Sequence, residues 1–408
     1  MRNVLDVLKE RGFVEQVSDE EGLHRALEKP ITFYVGYDPS AASLHAGHLL
    51  TIMALMHFQQ HGHRPIIIVG GGTGMVGDPT GRTEMRQLLT PEQIAANMEA
   101  LKRQLSRFIS FEEGRAKMLN NGDWLLPLRY IDFLREIGVH FSVNRMLAAE
   151  TYKTRLEQGL SFLEFNYQLL QAYDFLHLFR TENCILQVGG NDQWGNILAG
   201  VDLIRRVTGQ EAYALCFPLL TTSSGVKMGK TASGAVWLDP ELFSPYDFYQ
   251  FWINTADDDV ERFLKIFTFL PLEEIRELTS VKGAALNRAK EVLAYEVTTI
   301  VHGQEEAEAA RETSRQLFGG GGLGEAVPTT TIAKAEIEQG LSVVDLFCRT
   351  GLTASRGAAR RLIEQGGAYV NGMQVRSVDR MISWADVHEG NILLRYGKKR
   401  YHRVIIEG

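Results

Sequence analysis

The sequence predicts an α/β protein built on an open parallel sheet, followed by a helical segment and a small α+β module. Three observations carry this. Between residues 30 and about 220, short apolar runs alternate with amphipathic stretches, the pattern of strands joined by crossover helices. Each of the clearest runs, Thr32–Gly36, Pro65–Val69 and Ile185–Val188, ends in a glycine-rich turn: Gly36, Gly70-Gly71-Gly72 and Gly189-Gly190. From about 240 to 318 the alternation stops, and charged helical segments surround Asp257-Asp258-Asp259 and Glu273-Glu274. In a Rossmann-like sheet, ligands bind beyond the carboxyl ends of the strands where the strand order reverses. The three turns are therefore expected to meet around one cleft.

Composition bounds the function. The chain has 408 residues, enough for two or three domains, and its 45% hydrophobic and 23% charged residues are ordinary for a globular protein. Cys184, Cys216 and Cys348 are few, odd in number and far apart, which argues against a disulfide framework or a zinc knuckle. With no signal-peptide run at the N-terminus and no apolar run of membrane-spanning length, the expectation is a cytoplasmic protein. The net charge of −7 hides an asymmetry: Leu341–Gly408 carries 11 Lys+Arg against 6 Asp+Glu, so this +5 tail follows a body of −12. Such a tail suits nucleic acid, although solvated surface charge accounts for it equally well.

Along the chain, Thr32–Gly36 reads as a buried strand, and Tyr37-Asp38-Pro39-Ser40 turns away from it. His45-Ala46-Gly47-His48 follows and opens a helix, since Leu49, Ile52, Met53 and Met56 recur at the helical period. Both histidines fall on one face at its start, where outward N–H groups and the helix dipole attract phosphate, and Gly47 permits close approach. A metal site is the competing reading, but no third ligand stands nearby with recognisable spacing.

Gly72-Thr73-Gly74-Met75-Val76-Gly77 matches a dinucleotide fingerprint, yet Asp78-Pro79 disfavours the helix that such a fingerprint must open. What the turn offers instead is the Asp78 carboxylate, suited to an ammonium. Phe162–Arg180 is predicted as one helix that places Tyr167, Gln171 and Asp174 in a narrow sector of one face. The row is either an ordinary solvated face or, turned to the cleft, a ladder for a small polar molecule. Gly189-Gly190-Asn191-Asp192-Gln193 suits a ribose and a polar substrate atom. Lys227-Met228-Gly229-Lys230-Thr231 supplies two mobile ammonium groups able to meet charge on phosphates. Gly319-Gly320-Gly321-Gly322 begins a linker, and Leu341–Gly408 reads as a separate module.

Taken together, the set resembles the class I aminoacyl-tRNA synthetases, with His45–His48 and Lys227–Thr231 in the places of their HIGH and KMSKS signatures. The segments Tyr34–His48, Tyr167–Asp174, Gly189–Asn196 and Ser244–Thr255 look like bacterial tyrosyl-tRNA synthetases. In the tail, Ala358–Ile363 and Gly366–Gly372 are similar to an S4-type RNA-binding module. The resemblance implies that Tyr34 and Asp174 bind the phenolic hydroxyl of L-tyrosine. It gives Asp78, Tyr167 and Gln171 the ammonium, and Gln193 the carboxylate. Asp38, His48, Gly190 and Asp192 would face the adenosine of ATP, with Gly36 and Gly47 leaving it room. Ser40, His45, Lys227, Lys230 and Thr231 would stabilise the departing phosphates.

Mg2+ would come with the ATP phosphates rather than on a protein metal site. The resemblance further implies tRNA(Tyr) as partner, with Arg360 and Arg361 in contact with it, and a homodimer joined through Tyr130 to about Phe162. It also implies a division into a catalytic domain over 1–222, a helical anticodon-recognition domain with the lysine loop over 223–318, a linker over 319–340 and the S4-like module over 341–408. Ser40, Val35 and Asn191 stand where Thr, Cys and Ser are common in the family, and Ser40 keeps the hydroxyl. The rivals are a tryptophanyl relative, an idle RNA-binding homologue and a non-tRNA nucleotidyl transferase.

Overall fold

The structure, a computed structural model, describes residues 2–37, 43–79, 90–148, 152, 156–157, 159–225, 228–231, 234–319, 327–388, 390–397 and 400–407. The chain divides into two compact units, Met1–Gly229 with Lys265–Phe267, and Lys230–Leu264 with Thr268–Gly408.

The first unit holds a six-stranded sheet: β1 (Gln16–Val17), β2 (Thr32–Tyr37), β3 (Arg64–Val69), β4 (Lys117–Asn120), β5 (Cys184–Gly190) and β6 (Tyr213–Phe217). Their order is β1-β6-β5-β2-β3-β4, parallel throughout except for the edge pairing of β1 with β6. The apolar runs of β3 and β6 are buried almost end to end, as parallel strands covered on both faces must be. From β2 the chain proceeds outward through β3 and β4, then returns to β5 on the other side of β2. The order therefore reverses between β2 and β5, and their carboxyl ends carry Gly36 and Gly189-Gly190. The sequence reading identified β2 and β3 one residue short and β5 three residues short, and did not single out β1, β4 or β6.

Three helices position the site: α1 (Leu49–Gln60) after β2, α2 (Tyr167–Glu182) before β5 and α3 (Trp194–Thr208) after it. The helix expected over Phe162–Arg180 is in fact two. Ser161 and Glu164 form a capping box on a first turn, Phe162–Phe165, and α2 begins only after Asn166. Asn166 Nδ2 donates to the Phe162 carbonyl at 2.7 Å, the local side-chain bond by which asparagine competes with a continuous helix. Tyr167, Gln171 and Asp174 all fall on α2, so their common face survives the break.

The second unit begins with the two-residue strand Lys230–Thr231 paired antiparallel with Gly234–Ala235. The helices Pro245–Ile253, Leu272–Thr279, Asn287–His302 and Gln304–Gly319 agree with the expected helical segment. The tail folds as a five-stranded sheet with helices Val343–Arg349 and Arg356–Glu364, packed around Val343, Phe347, Leu362, Val370 and Val404. Thr329–Ala333, inside the stretch read as linker, is an edge strand of this sheet running parallel to Arg400–Glu407. Its threonines are β-branched and fit a pleated, half-buried edge better than a flexible spacer. Among the described residues no helix is long and apolar enough to cross a membrane.

Candidate active site

Tyr34 on β2 and Asp174 on α2 are 2% and 3% exposed. Asn121 Nδ2 donates to Asp174 Oδ2 at 2.9 Å, and Trp124 Nε1 donates to Oδ1 at 2.8 Å. Each carboxylate oxygen thus has one donor and keeps capacity for another. Burial pushes the Asp174 carboxyl up to about 7, and these two hydrogen bonds pull against that rise. The Tyr34 hydroxyl is buried with no hydrogen-bond partner among the described residues, and burial beside Asp174 raises its pKa well above the usual phenol. An unpaired donor next to a carboxylate with spare capacity suits a second phenolic hydroxyl, which can donate to one and accept from the other.

Asn121 and Trp124 were not found in the sequence. Asn121 immediately follows β4 and is 1% exposed. Its Oδ1 accepts from the Gly72 and Thr73 amides at 2.8 and 3.4 Å, and its Nδ2 also donates to Thr73 Oγ1 at 2.9 Å. It therefore braces the glycine turn that carries Asp78. That turn makes a single 3-10 turn, Thr73–Met75, as the following Asp78-Pro79 led us to expect.

At the other end, Asp78 Oδ2 accepts from Gln193 Nε2 at 2.7 Å, joining two turns 115 positions apart in sequence. Tyr167 is buried, and Gln171 Oε1 is buried without a partner among the described residues. This end therefore presents an acidic and an amide oxygen, the acceptors that an ammonium needs. Sequence reading gave Gln193 to a carboxylate, whereas in this structure its amide nitrogen is occupied by Asp78.

At the carboxyl ends of β2 and β5, a side chain at Gly36 would project into open space, whereas one at Gly190 would lie 2.6 Å from Asp192 Oδ1. His45 precedes a 3-10 turn, Ala46–His48, that leads into α1. His45 Nδ1 accepts from the Gly47 amide, and His48 Nδ1 accepts from the His45 amide, each at 3.1 Å. These bonds place the proton of each neutral ring on Nε2, leaving a hydrogen-bond donor rather than a base. The rings stack with centroids 3.9 Å apart. Burial, helped by neighbouring His45, holds His48 down to about 3, so it is neutral at physiological pH.

Met228 and Gly229 lie against this corner. A Cβ on Gly47 would sit 3.0 Å from the Met228 carbonyl, and one on Gly229 would collide with the Gly47 nitrogen. Gly229 has φ of 85°, a left-handed conformation that costs other residues about 1–2 kcal/mol. Gly229→Ala should therefore lift the loop off the histidines. Asp38, Ser40 and Lys227 lie outside the described residues, and of Lys230 and Thr231 only the backbone is described. Arg360 and Arg361 are exposed on the helix Arg356–Glu364 of the second unit.

An unpartnered buried phenol beside a carboxylate and two imidazole donors at a helix start, all near the switch point of a parallel sheet, suit a nucleotide-dependent enzyme for an aromatic amino acid. Comparison with known proteins agrees. Residues 26–319 match the tRNA synthetases class I (W and Y), and residues 322–404 match the tyrosine–tRNA ligase SYY-like C-terminal domain. The tyrosine–tRNA ligase of Acetivibrio thermocellus is 54% identical over 405 residues, 99% of each chain, and that of Clostridium botulinum is 54% identical over 410 residues, 100% of each. Among solved structures, a C-terminally truncated mitochondrial tyrosyl-tRNA synthetase from Aspergillus nidulans superposes with a TM-score of 0.70 at 34% identity, covering 78% of this chain and 95% of that one. A tryptophanyl-tRNA synthetase from Encephalitozoon cuniculi, at 15% identity and a TM-score of 0.57, shares the fold. The chain belongs to the class I tRNA synthetases for tryptophan and tyrosine and, within them, to the tyrosine–tRNA ligases.

Proposed function

We infer that the chain activates L-tyrosine with ATP to tyrosyl-adenylate and pyrophosphate, then transfers the tyrosyl group to the 3′ end of tRNA(Tyr). The observation that carries the choice of amino acid is the unpaired Tyr34 hydroxyl beside an Asp174 whose two oxygens are already oriented by Asn121 and Trp124. A tryptophan side chain has no hydroxyl to join them. Amino-acid-dependent ATP–pyrophosphate exchange across tyrosine, tryptophan and phenylalanine tests the assignment. Exchange with tyrosine alone is expected, and exchange with tryptophan in its place would overturn it.

In the first step the tyrosine carboxylate forms a bond to the α-phosphorus while the bond to the bridging oxygen of pyrophosphate breaks. No protein nucleophile is needed, so the chain contributes positioning and charge stabilisation. Tyr34 and Asp174 hold the phenol; Asp78, Tyr167 and Gln171 hold the ammonium; Gln193 turns toward the carboxylate. Asp38, His48, Gly190 and Asp192 hold the adenosine, with Gly36 and Gly47 giving clearance. His45 donates to the leaving phosphates together with Ser40, Lys227, Lys230 and Thr231. Mg2+ is proposed here as the counter-ion that ATP brings with its phosphates.

We further propose that the chain works as a homodimer in the cytoplasm. Leu126, Tyr130, Ile131, Val139, Val143 and Phe162 are all more than half exposed, and so much large apolar surface in one short stretch suits a partner subunit. The three cysteines are unbridged, in keeping with a reducing compartment. The proposed division is a catalytic domain over 1–222, a helical anticodon-recognition domain over 223–318, a connecting segment over 319–340 whose strand Thr329–Ala333 joins the sheet of the next module, and an RNA-binding module over 341–408. Arg360→Ala with Arg361→Ala should weaken tRNA charging several-fold, less so at higher salt, while leaving pyrophosphate exchange intact. Equal loss in both assays would contradict that division of labour.

A further inference from the structure

Strand β2 alternates its faces. Tyr34 points toward Phe175 of α2, with ring centroids 5.3 Å apart, whereas Phe33 packs on Phe58 of α1 at 4.3 Å. Tyr37, on the same side of the strand as Phe33, therefore lies near the opposite end of α1 from Phe58, its ring 6.0 Å from that of His48. It is 6% exposed, yet its hydroxyl has no hydrogen-bond partner among the described residues. Burying an unpaired hydroxyl is destabilising, and phenylalanine would fill the space without that cost. The hydroxyl calls for a partner that arrives in another state of the site.

His48 is the polar ring next to it. In this structure His48 Nδ1 is taken by the His45 amide, and the two imidazoles stack at 3.9 Å, crowded into one place. Bound ATP has to be met at two places, the departing phosphates by His45 and the nucleoside by His48. We propose that Tyr37 is a positioning residue for His48: as ATP binds, the His48 ring leaves the stack and its Nδ1 accepts a hydrogen bond from the Tyr37 hydroxyl. That bond keeps the His48 proton on Nε2, aimed at the nucleotide, and pairs the buried hydroxyl. The inference rests on the placement of His48 at the nucleotide.

A double-mutant cycle of Tyr37→Phe and His48→Ala, read by pyrophosphate exchange with ATP and tyrosine varied separately, tests it. Tyr37→Phe should lower kcat/KM for ATP about 3- to 10-fold, with the KM for tyrosine and the melting temperature at or above the parent value. It should cost nothing further in the His48→Ala background. Parent-like ATP kinetics in Tyr37→Phe, an equal loss in both backgrounds, or a lowered melting temperature would overturn the inference while leaving His48 at the nucleotide. Parent-like ATP kinetics in His48→Ala would overturn both.

Discussion

Replacing His45 with alanine is expected to slow tyrosyl-adenylate formation by about 10²- to 10³-fold, the usual loss when one preorganised donor to developing charge is removed. Tyrosine affinity should stay near the parent value. The reasoning is geometric: the Gly47 amide fixes His45 Nδ1 as an acceptor, so the ring carries its proton on Nε2 and can donate from there to phosphate oxygens. The proposed phenol and ammonium ends stand on β2, α2 and the Asp78–Gln193 pair rather than on the turn that carries His45. Single-turnover adenylate formation and equilibrium dialysis of tyrosine separate the two effects. A large loss of tyrosine binding with normal turnover would contradict the role. Because His48 is held neutral down to about 3, it should add no inflection to the rate profile between pH 5 and 9.

Much of this corner was legible because its chemistry is local in sequence. His45 and His48 are three positions apart, so helical geometry alone put them on one face, and the structure stacks them. The parallel strands were legible for a similar reason: each apolar run and its glycine turn are contiguous. Tyr167, Gln171 and Asp174 could be aligned but not oriented, since spacing cannot say which way a face points. Burial of Tyr167 and Asp174 settles that the row looks inward.

Asn121 and Trp124 illustrate what spacing could not reach. Their value lies in contacts to Asp174, 53 and 50 positions away, and to the turn at Gly72, which exist only once β3, β4 and α2 have assembled. An asparagine followed by a glycine reads simply as a turn. The same limit applied to Asn166, where a side-chain bond broke a pattern that periodicity ran straight through, and to Thr329–Ala333, whose pairing partner lies over 70 positions on. Gly229 shows the converse, because its glycine could be read as part of a signature whereas its reason, backbone contact with Gly47, is visible only in space.

Asp174→Asn should raise the KM for tyrosine about 10²-fold and erode discrimination against phenylalanine, while the KM for ATP holds. The substitution is nearly isosteric, so the effect isolates hydrogen-bond capacity. Asn121 and Trp124 each donate to a different carboxylate oxygen, and an amide has only one oxygen. One donor would then face an NH2 group, and the site would lose an ionised acceptor for the substrate hydroxyl, a loss of about 1.5–3 kcal/mol. Phenylalanine, which never used that acceptor, should be affected little. The same carboxyl sets a pH dependence. With its pKa near 7, Asp174 takes up a proton as pH falls from 8 to 6, and the KM for tyrosine should rise over that interval in the parent but stay flat in Asp174→Asn. For stability the sign is opposite: between about 3.8 and 7 the folded state holds a proton that the unfolded chain has released, so this group lowers stability as pH rises through that window. On one pH series, the melting temperature and the tyrosine KM should therefore both rise as pH falls through 7, stability being gained where tyrosine affinity is lost. A tyrosine KM independent of pH in the parent would show that the phenol is read without an ionised Asp174.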